Sequence, residues 1–445
     1  MAFKLSLPFY LSKTMKLLST MQTLFGRRAR ANESTETTAQ LQTQVQDLLA
    51  SAQYDAAEKL CRLILQKDER SFKAYNSLGF ALQLMGRTSE AMQAYQSART
   101  LNPDYWQAAY NVGNLYKLTG QLDAALSPFY DAMVMRRKVQ ANDPQADPQD
   151  KGISQSKLLH DIEQLTYLIS QGKIDSNILD AKAALEEILQ YMKQHSAKVV
   201  MELPPSLSAK CAKWFNRFLN YRDAPALAGG ALNSDIDWAA VEDAYFANAP
   251  GMTYIDNFLK PEALTSLRRF CLESTFWFDY QYFGEYVGCT IEDGFVCPLL
   301  LQIAEEQKAA MPRIFGDHRI HGMWGYKYDS ERTGISIHAD FAAINVNFWL
   351  APDDANLDPD SGGLVIWDKE APLNWEFDDY NNNTEKIAAF LQETGAKTFV
   401  VPHRQNRAAL FNSDLFHKTD NFRFKPGYEN RRINVTMLFG DRRAS

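Results

Sequence analysis

Small and large apolar residues recur with a 34-residue period in the N-terminal part of the chain. One copy carries the pattern most completely, and its marks are Tyr75, Leu78, Gly79, Leu82, Gly86, Ala91, Tyr95, Ala98 and Pro103. A second copy follows from Gly113, and a weaker copy without glycines begins at Leu41. A period of this length predicts one helix pair per repeat, stacked into a solenoid.

The repeat resembles the tetratricopeptide repeat (TPR) family over about residues 38–136. Small residues at Gly79, Ala91 and Ala98 would let the two helices of a repeat approach closely, while large residues fill the groove between repeats. The resemblance implies an all-α solenoid whose concave face holds a peptide. We expect that face to be lined by residues such as Asn76, Tyr110, Asn111 and Asn114.

The middle of the chain changes in composition. Residues 142–151 are rich in Pro, Asp and Gln, which is typical of a linker. Two amphipathic stripes follow, one from Leu158 to Leu168 and one from Ile178 to Met192, and they predict a connecting helix pair. The chain is therefore interpreted as multidomain, and its expected parts are a basic leader at 1–36, TPR repeats at 37–136, a linker with connecting helices at 137–200 and a final domain at 201–445.

The final domain is rich in short apolar strands separated by Gly, Pro and Asn turns, a pattern that favours a sandwich or barrel. A helix from Asp237 to about Asn248, a strand over Gly251–Leu259 and a helix from Pro261 are expected before it. The predicted strands are Trp324–Tyr328, Ile335–Asp340, Asn345–Leu350, Gly363–Trp367, Lys397–Val401, Ala408–Phe411 and Ile433–Phe439.

Metal-ligating residue types occur at a distinctive spacing in these strands. His338 and Asp340 are separated by one residue, so on a strand both side chains would point to the same face. With the later His417 they could form a triad of two imidazoles and one carboxylate, which leaves coordination positions open on Fe(II). An arginine 15 residues beyond His417, Arg432, offers a guanidinium that binds carboxylates bidentately. The pattern predicts an Fe(II) site that also holds a dicarboxylate.

Further motifs follow in the same order: Tyr328 before the His-x-Asp pair, Asp360-Ser-Gly-Gly after it, and Arg-Ile-Asn-Val-Thr at 432–436. Together they resemble the 2-oxoglutarate/Fe(II)-dependent dioxygenases over about residues 250–442, most closely the prolyl-hydroxylase-like branch. The last motif is also similar to the AlkB-like dealkylases. The resemblance implies a double-stranded β-helix (a jelly-roll or cupin-like fold) with flanking helices. It also implies oxidation of a substrate C–H bond by O₂, coupled to decarboxylation of 2-oxoglutarate, with no catalytic residue beyond the metal ligands.

Two adjacent arginines compete for the far carboxylate of 2-oxoglutarate. Strand alternation gives Arg432 a polar face shared with Asn434 and Thr436, whereas Arg431 shares an apolar face. We therefore expect Arg432 to bind the far carboxylate of 2-oxoglutarate. Removal of Arg431 is expected to have little effect on the 2-oxoglutarate requirement. Tyr328 would donate its hydroxyl to the same carboxylate, and Asn434 could bond it as well.

Composition narrows the remaining function classes. A net charge of −7 and a pI near 5.6 give no basic footprint for nucleic acid, and no apolar run is long enough for a transmembrane segment. Five cysteines without a Cys-x-x-Cys pair favour a reduced, cytoplasmic protein. The basic residues before Glu33 suit an amphipathic leader at a membrane surface, an unstructured tail or an over-long start; we favour the last two.

Three functions stay open at this point. The favoured one is hydroxylation of a residue on a peptide or protein recruited by the repeats. The alternatives are hydroxylation of a small metabolite, with the repeats used for docking or oligomerisation, and a non-catalytic TPR adaptor. Aromatic residues at 276–286 and an insert at 368–394 are expected to frame a substrate mouth toward which the repeats open, although core packing is expected for about half of the aromatics. No other metal-ligating residue lies at a characteristic spacing from His403, which is expected at a strand edge.

Overall fold

The structure is a computed structural model that describes residues 37–137, 152–174, 178–195, 200–211, 214–280, 286–332 and 334–442. Two compact units divide between Met135 and Arg136. The expected leader at 1–36 and the expected linker at 142–151 lie outside the described residues.

The described part of the first unit consists of three helix pairs. The bounds of equivalent helices repeat every 34 residues, as the sequence predicts, except that α6 ends two residues later. The helices are α1 Thr38–Ala50, α2 Tyr54–Lys67, α3 Phe72–Leu84, α4 Thr88–Leu101, α5 Trp106–Leu118 and α6 Leu122–Arg137. This is a TPR-like helical repeat, and the prediction of TPR-like helices is confirmed.

Two glycines show why small residues are needed inside the repeats. A Cβ atom on Gly79 would lie 2.6 Å from the Tyr95 ring, and one on Gly113 would lie 2.7 Å from the Phe129 ring. Both rings are fully buried. The two helices of each repeat therefore meet at a distance that a larger residue at either position would not tolerate without a shift.

The second unit begins with helices and continues into sheets. The two amphipathic stripes predicted in the sequence form α7 and α8, so the two predicted helices are confirmed. Several later helices begin with proline, whose fixed φ suits the first turn. The helices are α7 Gln155–Ser170, α8 Leu179–His195, α9 Pro205–Cys211, α10 Trp238–Ala247, α11 Pro261–Glu273, α12 Pro298–Ala310, α13 Pro312–Phe315, α14 Phe377–Asn381 and α15 Thr384–Glu393.

The strands are β1 Ile153–Ser154, β2 Val200–Met201, β3 Met252–Ile255, β4 Val287–Thr290, β5 Ile320–Lys327, β6 Glu331–Arg332, β7 Ile344–Trp349, β8 Leu364–Glu370, β9 Thr398–Val401, β10 Ala408–Asn412, β11 Leu415–Thr419, β12 Phe422–Arg423 and β13 Ile433–Phe439. A six-stranded antiparallel sheet has the order β3-β10-β7-β13-β5-β4, and a three-stranded one has the order β11-β8-β9. Strands β12 and β6 pair, as do β1 and β2.

The two larger sheets share a buried apolar core. Trp349 and Phe411 of the six-stranded sheet belong to one cluster with Ile366, Val401 and Leu415 of the three-stranded sheet. Their inner faces therefore pack on each other, and the predicted β-rich C-terminal region is confirmed. No helix within the described ranges is both long and apolar enough to span a membrane.

The predicted strand over Ile335–Asp340 is wrong. Its ladder contact is a single antiparallel bridge between His338 and His417, because the N–H groups of Ala339 and Asp340 donate to carbonyls of other segments. Alternation of polar and apolar residues gave the appearance of a strand, but the backbone bonds of this segment are shared among several neighbours.

Other strand boundaries also differ from the prediction. The strand predicted over Gly251–Leu259 is limited to Met252–Ile255, because the chain turns at Asn257 with a φ of 53°. Strands β4 and β11 carry no clear alternation and were not predicted.

Candidate metal centre

Three side chains converge in the β-rich unit. Nε2 of His338 lies 3.7 Å from Oδ1 of Asp340, and Nε2 of His417 lies 3.5 Å from Oδ2 of the same carboxylate. One ligand atom from each residue falls within 4.8 Å of the others. The structure therefore brings together the three residues that the sequence selects, in a group that could hold a metal ion.

Backbone contacts set the orientation of both imidazoles. Nδ1 of His338 lies 2.8 Å from the Ser336 carbonyl, and Nδ1 of His417 lies 3.0 Å from the Leu415 carbonyl. A proton on each Nδ1 is thereby engaged, which leaves the Nε2 lone pair for a metal. The two residues also exchange backbone hydrogen bonds of 3.0 and 2.8 Å, which hold the rings side by side.

The protonation states of His338 and Asp340 suit metal ligation. Burial, followed by the neighbouring His417, lowers the pKa of His338 to about 4. Burial alone would raise the pKa of Asp340, but the neighbouring His417 and His338 and the hydrogen bond from Asn345 hold it below its usual value. A neutral imidazole and an ionised carboxylate are the forms that bind a metal.

The insert after β8 holds the loop that carries two members of the triad. Ala339 lies between His338 and Asp340, and its N–H donates to the Tyr380 carbonyl at 2.9 Å. Its carbonyl accepts from Nδ2 of Asn381, also at 2.9 Å. Helix α14 therefore fixes this loop, a role that sequence reasoning did not assign to the insert.

A chain of polar side chains on the inner face of the six-stranded sheet leads away from Asp340. Asn345 donates to Oδ2 of Asp340 at 2.6 Å, and Asn347 donates in turn to Asn345. Asn434 and Thr436 both donate to Oδ1 of Asn347, at 2.9 and 2.7 Å. Each of these side chains donates to a residue one step nearer the Asp340 carboxylate, and this arrangement favours the ionised form of Asp340.

Asn345 and Asn347 were missed in the sequence. The signal that could have found them is a pair of amides two residues apart inside strand β7, all of whose residues are buried. Buried amides on one face of such a strand need polar neighbours, and here they find Asp340 and β13.

Arg432 is buried at the other end of this polar face. Its Nε donates to the Gly362 carbonyl at 2.6 Å and its Nη2 to the Gly363 carbonyl at 3.2 Å, while the guanidinium carbon lies 4.8 Å from the centre of the Tyr328 ring. Nη1 has no hydrogen-bond partner among the described residues. Asn434 is close by in the chain, and its Oδ1 is also buried without a partner there.

The Gly-Gly turn makes the approach of Arg432 possible. Gly362 has a φ of 83°, which favours glycine, and a Cβ atom on Gly363 would fall 1.9 Å from the Val401 carbonyl oxygen. Both backbone carbonyls are therefore presented to the guanidinium just before β8 begins.

Arg431 points away from Arg432, as the alternation predicts. It is buried, and its Nε donates to Oε2 of Glu163 in α7 at 2.7 Å. The expectation that its removal has little effect on the cofactor stays a prediction, but the change would also break an ion pair between buried Arg431, just before β13, and partly exposed Glu163 of α7.

His403 is not a strand-edge residue as expected. It follows β9 and is 2% exposed, with its ring packed between Trp349 and Phe424 at centroid distances of 5.9 and 5.0 Å. Neither ring nitrogen has a hydrogen-bond partner within the described ranges. A histidine after Pro402 carried no spacing signal that could have placed it here.

The aromatic residues expected to frame a mouth belong mainly to the core. Phe276 packs against Phe270 and Phe295, and Trp277 is fully buried. Tyr286 lies beside Tyr328, while residues 281–285 lie outside the described part of the chain.

No family model matches the sequence. A similar curated protein is the 131 kDa subunit of transcription factor tau from Saccharomyces cerevisiae, which is 27% identical over 154 residues. The match covers 25% of this chain, and the chain spans about 15% of the length of that relative.

Two solved structures are similar to part of this chain. The type III secretion translocator chaperone SycD of Yersinia enterocolitica is 18% identical, with 37% of this chain and 99% of that chain covered and a TM-score of 0.23. PcrH in complex with the chaperone binding region of PopD is 21% identical, with 24% and 81% covered and a TM-score of 0.22. The TPR-like character of this chain is established by its own helix bounds.

Proposed function

We propose that the second unit is an Fe(II)- and 2-oxoglutarate-dependent oxygenase that hydroxylates its substrate. The observation that carries this proposal is the convergence of His338, Asp340 and His417 in the same unit as a buried, incompletely partnered guanidinium at Arg432. Two imidazoles and one carboxylate are the donor set that non-haem Fe(II) oxygenases use.

The fold around these residues supports the proposal. Two antiparallel sheets pack through their inner faces, and the polar chain from Asp340 to Asn434 lies on an inner face. We infer that they form the double-stranded β-helix implied by the sequence resemblance, with flanking helices. The interior of such a barrel would hold both the metal and the dicarboxylate.

The residues present fit the two groups. His338 and His417 would hold Fe(II) through Nε2 and Asp340 through a carboxylate oxygen, which leaves coordination positions for a keto acid and O₂. Arg432 would hold the far carboxylate of 2-oxoglutarate through its unpartnered Nη1, with the Tyr328 hydroxyl and the Asn434 side chain beside it.

When bound, Fe(II) and 2-oxoglutarate supply O₂ activation, with succinate and carbon dioxide as coproducts. The protein contributes orientation. Asn345 fixes the Asp340 carboxylate, and backbone carbonyls fix both imidazoles. The apolar core between the sheets limits water around the site, which strengthens the charged contact at Arg432.

Metal- and keto-acid-dependent turnover tests this proposal. Purified protein with Fe(II), 2-oxoglutarate and O₂ should release succinate, and His338→Ala, Asp340→Ala and His417→Ala should each abolish the release. His195→Ala is a matched control, because that imidazole is exposed on α8. Wild-type protein that binds no Fe(II) and releases no succinate would refute the oxygenase assignment and favour a non-catalytic TPR adaptor.

We propose further that the TPR-like unit recruits a peptide or protein as the substrate. Polar side chains link the first helices of successive repeats: Asn111 donates to Asn76 at 2.9 Å, and Gln42 donates to Ser77 at 2.9 Å. Oε1 of Gln42 is buried without a partner among the described residues. Amides of this kind offer the donors and acceptors that an extended backbone requires.

The recruitment proposal can be separated from the small-metabolite alternative. Full-chain Asn76→Leu/Asn111→Leu protein should retain uncoupled succinate release but lose Fe(II)- and 2-oxoglutarate-dependent addition of one oxygen atom to peptides of a digested proteome, detected by mass spectrometry. Gln96→Leu, on the exposed surface of α4, is the control. If the double variant hydroxylates the same peptides equally well, the repeats do not deliver the substrate.

A further inference from the structure

Three buried side chains with unpartnered nitrogen atoms cluster near the Gly362-Gly363 turn. Nη1 of Arg432, Nε1 of Trp349 and both ring nitrogens of His403 have no hydrogen-bond partner in the described part of the chain. The guanidinium carbon of Arg432 lies 5.9 Å from the centre of the Trp349 ring, which in turn lies 5.9 Å from that of His403.

Gly362 joins the three residues into one neighbourhood. Its carbonyl accepts from Arg432, and the position of its absent Cβ is 3.5 Å from Cβ of His403. Buried donors are rarely left unpaired, because each pays the full cost of desolvation. Unpaired groups on three neighbouring side chains therefore indicate that a ligand supplies the acceptors.

The ligand expected here is an anion. Arg432 is buried, and its hydrogen-bond partners are two backbone carbonyls and the Tyr328 hydroxyl. The acid that acts on it electrostatically, Asp420, already accepts from the backbone N–H of Asn421. Burial, followed by Arg432 and Arg407, lowers the pKa of His403 to about 3, so this imidazole is neutral. The cluster thus offers one positive charge and two neutral N–H donors, which suits a single carboxylate.

The cluster also faces the metal centre. Asn345, Asn347 and Trp349 alternate along β7 and share one face, and Asn345 bonds to Asp340. Trp349 lies about 13 Å along the strand from Asn345, at the usual rise per residue. Asn345, Asn347 and Asn434 form a continuous hydrogen-bonded polar face between the metal centre and the cluster.

We propose that Trp349 and His403 donate hydrogen bonds to the distal carboxylate of 2-oxoglutarate and, with Arg432, select a dicarboxylate over a monocarboxylate keto acid. This inference rests on the proposed function. It assigns binding roles to two residues that the sequence motifs leave out. Packing of His403 between Trp349 and Phe424 fixes the ring before the ligand arrives, which reduces the entropy cost of binding.

Calorimetry on full-chain protein loaded with Co(II) in place of Fe(II) tests the inference without turnover. The probes are 2-oxoglutarate and 2-oxopentanoate, which carries a methyl group in place of the distal carboxylate. His403→Phe and Trp349→Phe should each weaken 2-oxoglutarate binding roughly ten- to a hundredfold, the range for a lost hydrogen bond to a charged group, and leave 2-oxopentanoate binding nearly unchanged. His403→Gln should restore most of the affinity, because it retains an N–H donor.

His195→Phe is the matched control, with the same substitution at an exposed site. Wild-type affinity for 2-oxoglutarate in both His403→Phe and Trp349→Phe would overturn the inference, as would an equal loss for both keto acids. If His403→Phe does not fold, the Trp349→Phe comparison decides by the same criteria. Protein that binds Co(II) but neither keto acid would instead contradict the proposed function.

Discussion

Nδ2 of Asn345 donates a hydrogen bond of 2.6 Å to Oδ2 of Asp340, although the two residues do not lie in the same strand. Asn345 lies in β7, whereas Asp340 lies in the loop before it. The amide therefore controls a carboxylate whose own backbone is outside the ladder. A side chain on a rigid strand thus positions a candidate metal ligand on a loop.

The first prediction follows from this contact. Asn345→Leu removes the donor at similar volume, so Asp340 should lose its fixed orientation and the protein should bind Fe(II) or Co(II) about ten- to a hundredfold more weakly. Metal titration followed by absorbance measures this. Asn430→Leu is the control, since that partly exposed amide bonds to the Pro426 carbonyl and not to Asp340. Equal metal affinity in Asn345→Leu and wild type would show that Asp340 needs no such support.

Local patterns in the sequence predict much of the fold. The 34-residue period gives all three helix pairs of the first unit, and strand β13 is predicted with its observed bounds. The repeat helices and β13 are both predictable because residues close in sequence determine them. The period of their apolar residues indicates which face is buried.

Features that depend on distant segments are not predictable in this way. The loop at His338 looks like a strand because its residues alternate, yet its backbone bonds go to β11, to α14 and to Ser413. His403 has no local signal, and its burial depends on Trp349 and Phe424, which come from other elements. Long-range packing overrides local preference at both places.

The second prediction separates the two adjacent arginines. Arg432→Ala should weaken 2-oxoglutarate binding by about 2–5 kcal/mol, because a buried charge partner of the ligand is lost. Arg431→Ala should leave that affinity unchanged but lower the free energy of unfolding by about 1–3 kcal/mol, because its bond to Glu163 is broken. Calorimetry and urea unfolding measure the two effects. A reversed pattern would contradict the assignment of Arg432 to the cofactor.

The third prediction concerns the pH dependence of stability in metal-free protein. Burial lowers the pKa of His338 to about 4 and of His403 to about 3, and it also lowers the pKa of His160. In the unfolded chain these groups return to about 6.5, so unfolding takes up protons between that pH and the folded values. The free energy of unfolding should therefore fall as the pH decreases from 6.5 toward 4.

Each of the three histidines contributes a slope of up to about 1.4 kcal/mol per pH unit. Urea unfolding at several pH values measures the sum. His403→Phe should reduce the slope by about one proton, whereas His195→Phe, at an exposed position, should leave it unchanged. A slope that is the same in His403→Phe and wild type would mean that His403 is already protonated in the folded protein.

The fourth prediction concerns the hydrogen bond by which the insert supports the loop at Ala339. Asn381 bonds to the carbonyl of Ala339, the residue between two members of the triad, and the loop there lacks a strand ladder. Asn381→Leu should weaken metal binding about tenfold and change the melting temperature little, because the amide acts on the loop and not on the core. Its neighbour provides a matched control: Asn382→Leu removes an exposed amide that bonds to Asp378. If both variants weaken metal binding equally, the loss of affinity is caused by a less stable α14. If neither does, the paired backbone bonds between His338 and His417 are enough to hold the loop.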